Sequence, residues 1–459
     1  MTTDHADAPS RDAVERFREL LRIPTVSHAD ESLIDPAPFD RFLETVERLY
    51  PALHTVLERE VVDGYSLLYR WRGRNPAAET DAASSGPLVL MAHLDVVPVV
   101  PGEWAHDPFA AEIVGEGDDA EIHARGAIDD KGSLVAILEA VEQLVVAGHT
   151  PSADVYLSFG HNEETAGGGA RAIVAILRER GVRPALVLDE GGAVVDGVIP
   201  GVAVPTAMVG VAERGVMTLL LTAREAGGHA STPPAVPATA RLARAIHRVH
   251  RHPFPIRIAP PVRALFTTIA PHAPQPLRWV FGHLGLTGAL LARVFPRLGP
   301  EMNAMVRTTA VATQLAGAPG ENVLATTARA ALNIRLLTGD TVASAAARVR
   351  RVVADPAVEI EVRHGSDPSP VSPWRGEAWR RLASAVASAL GEDIVTTPYI
   401  QLGASDSRWF TAISDSVYRF TPFHLTRAER DALHSHDERI RVGVWLRGIG
   451  FYRALIAAT

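Results

Sequence analysis

The sequence predicts an α/β fold: a mostly parallel sheet with flanking helices, carrying a smaller inserted α+β module. Three observations point there. Between residues 87 and 192 an apolar run, a polar or acidic loop and a helical segment follow one another repeatedly, the pattern of strands joined by crossover helices. After about residue 210 the pattern stops, and after about residue 370 it resumes. The chain therefore divides into a discontinuous larger domain, 1–210 with 366–459, and an inserted domain, 211–365. A length of 459 residues also exceeds what one ordinary core organises.

In order, Val14, Phe17, Leu20 and Leu21 share one face of a helix over 11–23, and Pro24 ends it. A second helix covers about 38–50, and strand-like alternation follows around 53–60 and 65–71. Residues 77–86 read as a small, polar, mobile loop. Pro87 to Met91 is an apolar run that reads as a buried strand delivering His93 and Asp95 to its C-terminal end. Spaced by two, both side chains lie on the same side of that strand. Asp129 and Asp130 precede an apolar helix over 133–146. An N-cap accounts for one such carboxylate more readily than for two, and Lys131 is a counter-charge to the pair. A strand over 154–160 runs into Glu163 and Glu164, then a helix over 170–180, and a further apolar run ends in Asp189 and Glu190.

The inserted stretch reads as a strand (215–225), a Gly-rich turn around His229, a helix (237–251), a Pro-rich apolar stretch without clean period (252–300), a strand (328–336), a helix (341–353) and a strand (358–362). The tail holds a helix over 376–390, the loop Gly403 to Arg408, and the segment Leu433 to Arg439 before a last helix.

Composition narrows the chemistry. At 47% hydrophobic and 21% charged, the chain is that of a soluble globular protein. A net charge of −8 with no basic stripe argues against a nucleic-acid partner. Zero Cys removes disulfides, thiolate metal sites and Cys nucleophiles. The first residues form no signal-peptide core, and the most apolar stretch, 279–292, is too short to span a bilayer. A cytoplasmic protein with no membrane span is expected.

The strand-end groups are His93, Asp95, Asp129, Glu163, Glu164, Asp189 or Glu190, and His434. Two His and three carboxylates suffice for a dinuclear site with one bridging carboxylate, and suit Zn, Co or Mn. Two such ions can bind a water between them. A remaining carboxylate then serves as general base. The sequence has no Gly-x-Ser-x-Gly elbow and no Cys for acyl-enzyme chemistry.

Taken as an ordered set, His93-x-Asp95, Gly126-x-x-Asp129-Asp130-Lys131-Gly132, Glu163-Glu164, Asp189-Glu190-Gly191 and the late His434 resemble the M20 metallopeptidase and aminoacylase family. The likeness is strongest to its carboxypeptidase S and N-acyl-amino-acid hydrolase branch. The resemblance implies a zinc-peptidase-like sheet and two Zn2+, with Co2+ or Mn2+ as alternatives. It implies His93 and His434 as terminal ligands, Asp129 as the bridge, Glu164 on one metal, Glu163 as the base and Asp95 orienting His93. The fifth ligand is Asp189 or Glu190. His436 competes with His434, which keeps the family's His-x-x-x-Glu spacing to Glu438. The inserted domain resembles the family's lid and dimerisation domain, implying a homodimer. His229 matches a lid His that reaches the partner's site, and Asn322 and Arg335 match substrate-contacting lid positions. Arg408 would suit a substrate carboxylate, or is a plain surface Arg. The implied reaction is hydrolysis of the amide of an N-acyl amino acid or short peptide. Its rivals are a dipeptidase, a deacylase of another small amide, and a metal-free scaffold.

Overall fold

The computed structural model describes residues 8–75, 86–100, 102–198 and 201–459; of the loop expected over 77–86, all but Gly86 lies outside them. An eight-stranded sheet runs in the order Glu58–Val62, Ser66–Trp71, Val155–Gly160, Leu88–His93, Leu186–Val195, Val417–His424, Thr206–Glu213, Val395–Gln401. Its four central strands are mutually parallel, and antiparallel strands join toward either side. Leu88–His93 is buried along its whole length between two parallel neighbours, which is why it reads as a continuous apolar run.

The helices Ala8–Leu21, Lys131–Val146 and Val442–Ala457 cover one face. Phe17 stacks on Trp445 at 4.4 Å, tying the first helix to the last. Lys131 is fully buried and does not neutralise the Asp pair as expected. Its Nζ donates to the carbonyls of Leu20 and Ile23 at 3.2 and 2.5 Å, closing the unpaired C-terminal end of the first helix. Burial pushes its pKa down to about 7.

The strand expected over 53–60 begins instead as a helix, Pro51–Val56, and only then becomes the strand Glu58–Val62. Proline at the first helical position favours this. A distant residue completes it, because the carboxylate of Glu142 accepts from the N–H groups of Ala52 and Leu53 at 3.0 and 2.7 Å.

A second, four-stranded antiparallel sheet, in the order Thr309–Ala316, Thr327–Leu336, Gly215–Arg224, Val358–Ser366, packs the helices Ala238–Arg251 and Val342–Val353 over its own core. The strand Thr309–Ala316 was not legible in the sequence. The stretch without clean period is helical: Pro260–Ile269, Leu277–Gly282, Leu284–Leu298 and Pro300–Val306. Val262, Leu265, Phe266, Phe295 and Val306 join the core of the large sheet, not that of the small one.

Candidate metal centre

Three consecutive strand ends converge. Leu88–His93 carries His93 to the C-terminal edge of the sheet beside Gly160, the edge at which open α/β sheets bind ligands. A side chain at Gly160 would not fit, since a Cβ there would stand 2.7 Å from the buried carboxylate of Asp406. His93 Nδ1 lies 2.9 Å from the carbonyl oxygen of Asp95. A carbonyl can only accept, so Nδ1 carries the proton and Nε2 faces the centre. The Asp95 carboxylate lies beneath, accepting from Ser27 Oγ (2.7 Å) and from the backbone N–H groups of Glu163 and Glu164 (3.1 and 3.2 Å). One aspartate thus positions both the imidazole and the glutamate pair.

Asp129 lies between the two histidines. Its Oδ1 is 3.0 Å from His93 Nε2 and its Oδ2 is 2.9 Å from His434 Nε2. Glu164 Oε2 is 3.0 Å from the same His434 nitrogen, and Glu190 Oε1 is 3.9 Å from His93 Nε2. His434 is held with φ of +56°, a left-handed conformation uncommon for a non-glycine residue and concentrated at functional sites. Asp130, across a cis peptide from Asp129, accepts from the backbone N–H of His93 at 3.3 Å. It makes no side-chain cap to the following helix.

Since Leu186–Val195 continues past the acidic pair, Asp189 and Glu190 point to opposite faces. Glu190 faces His93. Asp189 does not: its Oδ2 accepts from the Ser407 N–H at 2.8 Å. Arg408 is likewise committed elsewhere. Its guanidinium stands 3.4 Å from Glu213 and donates to the Asp367 carbonyl at 3.2 Å. Glu213 is fully buried and draws on Arg408 and Arg419 for counter-charge.

His229 and Asn322 adjoin each other on the small sheet unit, where the Ala230 N–H donates to the Asn322 carbonyl at 3.0 Å. Both are exposed, and the His229 ring is held by Ser231 at 2.7 Å. Arg335 lies in the strand Thr327–Leu336, opposite Thr309. Among the described residues, none of the three bonds to the strand-end cluster. His436 is exposed and also lies apart from it.

The residue that sequence reasoning undervalued is Glu438. Fully buried, its carboxylate accepts from the N–H groups of Gly126 (3.0 Å), Ile128 (2.7 Å) and Asp129 (3.1 Å), and from the Arg125 guanidinium (2.7 Å). It clasps the turn that presents Asp129. Gly126 permits that turn with φ of +84°, and a Cβ there would meet Val96 at 2.8 Å. The only signal in the sequence was the spacing from His434.

The electrostatics are those of a site built for cations. Burial favours a neutral Asp129, yet the hydrogen bonds of His434 and His93 hold its pKa well below the usual range. His434 is pushed up to about 10 by Asp129 and Glu164. Burial, with like charges nearby, raises Glu163, Glu190 and Asp130 well above ordinary carboxyl values, and Asp406 to about 8. Glu164 Oε1 is buried without a partner among the described residues. Ligand atoms of His93, Asp129 and Glu164 lie within 4.8 Å of one another, as do those of His93, Asp130 and Glu190. An N/O donor set with crowded carboxylates and an unpartnered buried oxygen fits hard or borderline divalent cations.

The sign of this crowding gives a test. A carboxyl whose folded pKa exceeds its unfolded value binds more protons when folded, so stability falls as pH rises between the two. For Asp406 that interval runs from 3.8 to about 8. Lys131 works in the opposite sense, but only above about 7. Thermal melts in a chelator should therefore show falling stability from pH 4 to pH 7, and divalent cations should restore more of it at pH 7 than at pH 4. A chelated protein equally stable across that range would contradict the crowding.

A sheet edge that gathers two imidazoles and three carboxylates, one of them an aspartate lying between the imidazoles, is the architecture of a metal-dependent hydrolase. The family model "Peptidase family M20/M25/M40" matches residues 89–458, and the chain belongs to that family. It is 34% identical to the N-fatty-acyl-amino acid synthase/hydrolase PM20D1 of Xenopus tropicalis over 99% of this chain and 87% of that protein. It is 30% identical to the probable carboxypeptidase S-like 2 of Dictyostelium discoideum over 100% of this chain and 88% of that one. The fold is shared with the M20 family metallo-carboxypeptidase Sso-CP2 of Sulfolobus solfataricus, at a TM-score of 0.67 and 17% identity over 97% of this chain and 98% of that one. The protein is a metal-dependent enzyme of amide hydrolysis.

Proposed function

We propose that the protein hydrolyses N-acyl amino acids, releasing a fatty acid and a free amino acid, at a site for two divalent cations, zinc by preference and cobalt or manganese as alternatives. The observation that carries this reading is the Asp129 carboxylate, one oxygen toward each histidine. His93 and Glu190 would hold one ion, His434 and Glu164 the other, and Asp129 both. When bound, the ions would supply Lewis-acid polarisation of the amide carbonyl and acidify the attacking water.

The chain's own residues do the rest. Asp95 keeps the His93 proton on Nδ1, leaving Nε2 free to ligate. The Glu163 carboxylate has no hydrogen-bond partner among the described residues, and its raised pKa suits it to accept a proton. It takes the proton of the attacking water as the C–O bond forms. It then passes that proton to the amide nitrogen as the C–N bond breaks.

A cavity of ≈ 690 Å³ opens from Asp129 and Glu190. Among its lining are Val195, Val198, Met208, Met302, Met305 and Leu425, a flexible apolar wall suited to an acyl chain. The match to a relative named for N-fatty-acyl-amino acids supports the same substrate class. With N-acyl amino acids from acetyl to octanoyl, kcat/KM should climb by up to about fourfold per CH₂, the equivalent of roughly 0.8 kcal/mol of buried methylene. A flat or falling series, alongside good turnover of dipeptides, would leave a short-peptide carboxypeptidase or dipeptidase.

A further inference from the structure

The helical stretch over 260–306, packed on the large sheet's core, presents an exposed face that belongs to neither core. In Leu284–Leu298, Leu284, Gly288, Ala292 and Phe295 point inward. Leu286, Leu290, Arg293 and Arg297 follow at intervals of four, three and four, forming one stripe on the opposite side. Leu286 and Leu290 are 78% and 67% exposed, and Trp279 of the adjacent helix is 51% exposed. Large apolar side chains at that exposure, two of them one turn apart on a single helix, are not ordinary surface scatter.

Charge indicates what covers them. Residues 252–300 contain no Asp or Glu, although the whole chain has a net charge of −8. Arg278, Arg293 and Arg297 donate to backbone carbonyls of Ala273, Ala289 and Arg293 (3.2, 2.9 and 3.1 Å) rather than to carboxylates. Exposed leucines and unneutralised arginines on one helix face, with an exposed Trp on the neighbouring helix, are the composition of a segment lying in a membrane interface. No helix among the described residues is long and apolar enough to cross a membrane.

We propose that this face docks the enzyme onto an anionic lipid surface, with Leu286, Leu290 and Trp279 entering the interface and Arg293 and Arg297 meeting lipid phosphates. Helix Pro300–Val306 follows directly and carries Met302 and Met305 to the cavity. Docking would therefore open the cavity beside the layer into which acylated amphiphiles partition. That consequence rests on the N-acyl substrate reading; docking itself does not.

The test is sedimentation of the full-length protein with phosphatidylcholine vesicles, with and without phosphatidylglycerol. Binding is expected to the anionic vesicles and to weaken with salt. L286D/L290D should lower the partition coefficient about a hundredfold, and R293Q/R297Q by about fivefold per arginine. Both variants should hydrolyse a water-soluble N-acetyl amino acid as the parent does, which shows that they fold. Failure of the parent to bind anionic vesicles, or binding untouched in both variants, would overturn the proposal. So would a dimer that L286D/L290D splits without changing vesicle binding, since the face would then cover a second copy of the chain. Vesicle binding together with a flat acyl-length series would overturn the substrate reading and leave the docking surface standing.

Discussion

Glu163→Gln is expected to cut turnover by about 10²–10⁴-fold, the usual loss on removing a general base, while metal content and thermal stability stay near the parent's. Glu163 is the one acid of its pair without a partner. Its neighbour Glu164 is 3.0 Å from His434, so only Glu164 should be needed to hold a cation. Replacing a crowded, buried carboxylate with a neutral isostere also relieves repulsion from Asp406, Asp129 and Glu164, so the fold should not suffer. Turnover of the purified variant, set beside its metal content by elemental analysis, decides the assignment. If Glu163→Gln sheds metal and Glu164→Gln keeps it with low activity, the two roles are exchanged.

Glu438→Ala should do the opposite: damage the fold and the metal centre together. The substitution strips the acceptor from three backbone N–H groups and leaves Arg125, 3% exposed, without its carboxylate. Breaking a buried pair from one side costs about 3–5 kcal/mol. The turn that presents Asp129 would lose its clasp, so metal affinity should fall even though Glu438 grips Asp129 only through its backbone N–H. Glu438→Gln retains the shape and part of the hydrogen bonding, and should fall between the two. Denaturant unfolding with parallel metal titration checks this. Parent-like stability and metal affinity in Glu438→Ala would refute the clasp.

Much of the centre was legible because its residues sit at strand ends, where an apolar run stops on a charged group. His93, Asp95 and the Glu163 pair could be singled out on that basis, Asp129 by its place before an apolar helix and His434 by the family's spacing to Glu438, and the structure brings them together. The choice between Asp189 and Glu190 could not be read, because it depends on whether the strand continues beyond the pair. The surroundings of Arg408 could not be read, because Glu213 lies 192 residues from Ser405 of the same loop, and no local pattern announces the burial of a lone glutamate. The helices between 260 and 306 were hidden for a different reason. Their outer face is nearly as apolar as their inner one, so the contrast that marks a surface helix is missing. Helix Pro51–Val56 was mistaken for a strand because the carboxylate that anchors it lies on another helix.

The clasp around Asp129 joins residues 310 apart in the chain. A ribosome emits the polypeptide from its N-terminus, and long before residue 434 emerges the chain already contains His93, Asp129, Glu164 and Glu190. Until residues 434 and 438 are available, the proposed second cation lacks its imidazole and the turn lacks its clasp. Closing a contact over that separation is slow, so the centre is expected to assemble after the sheet that carries His93.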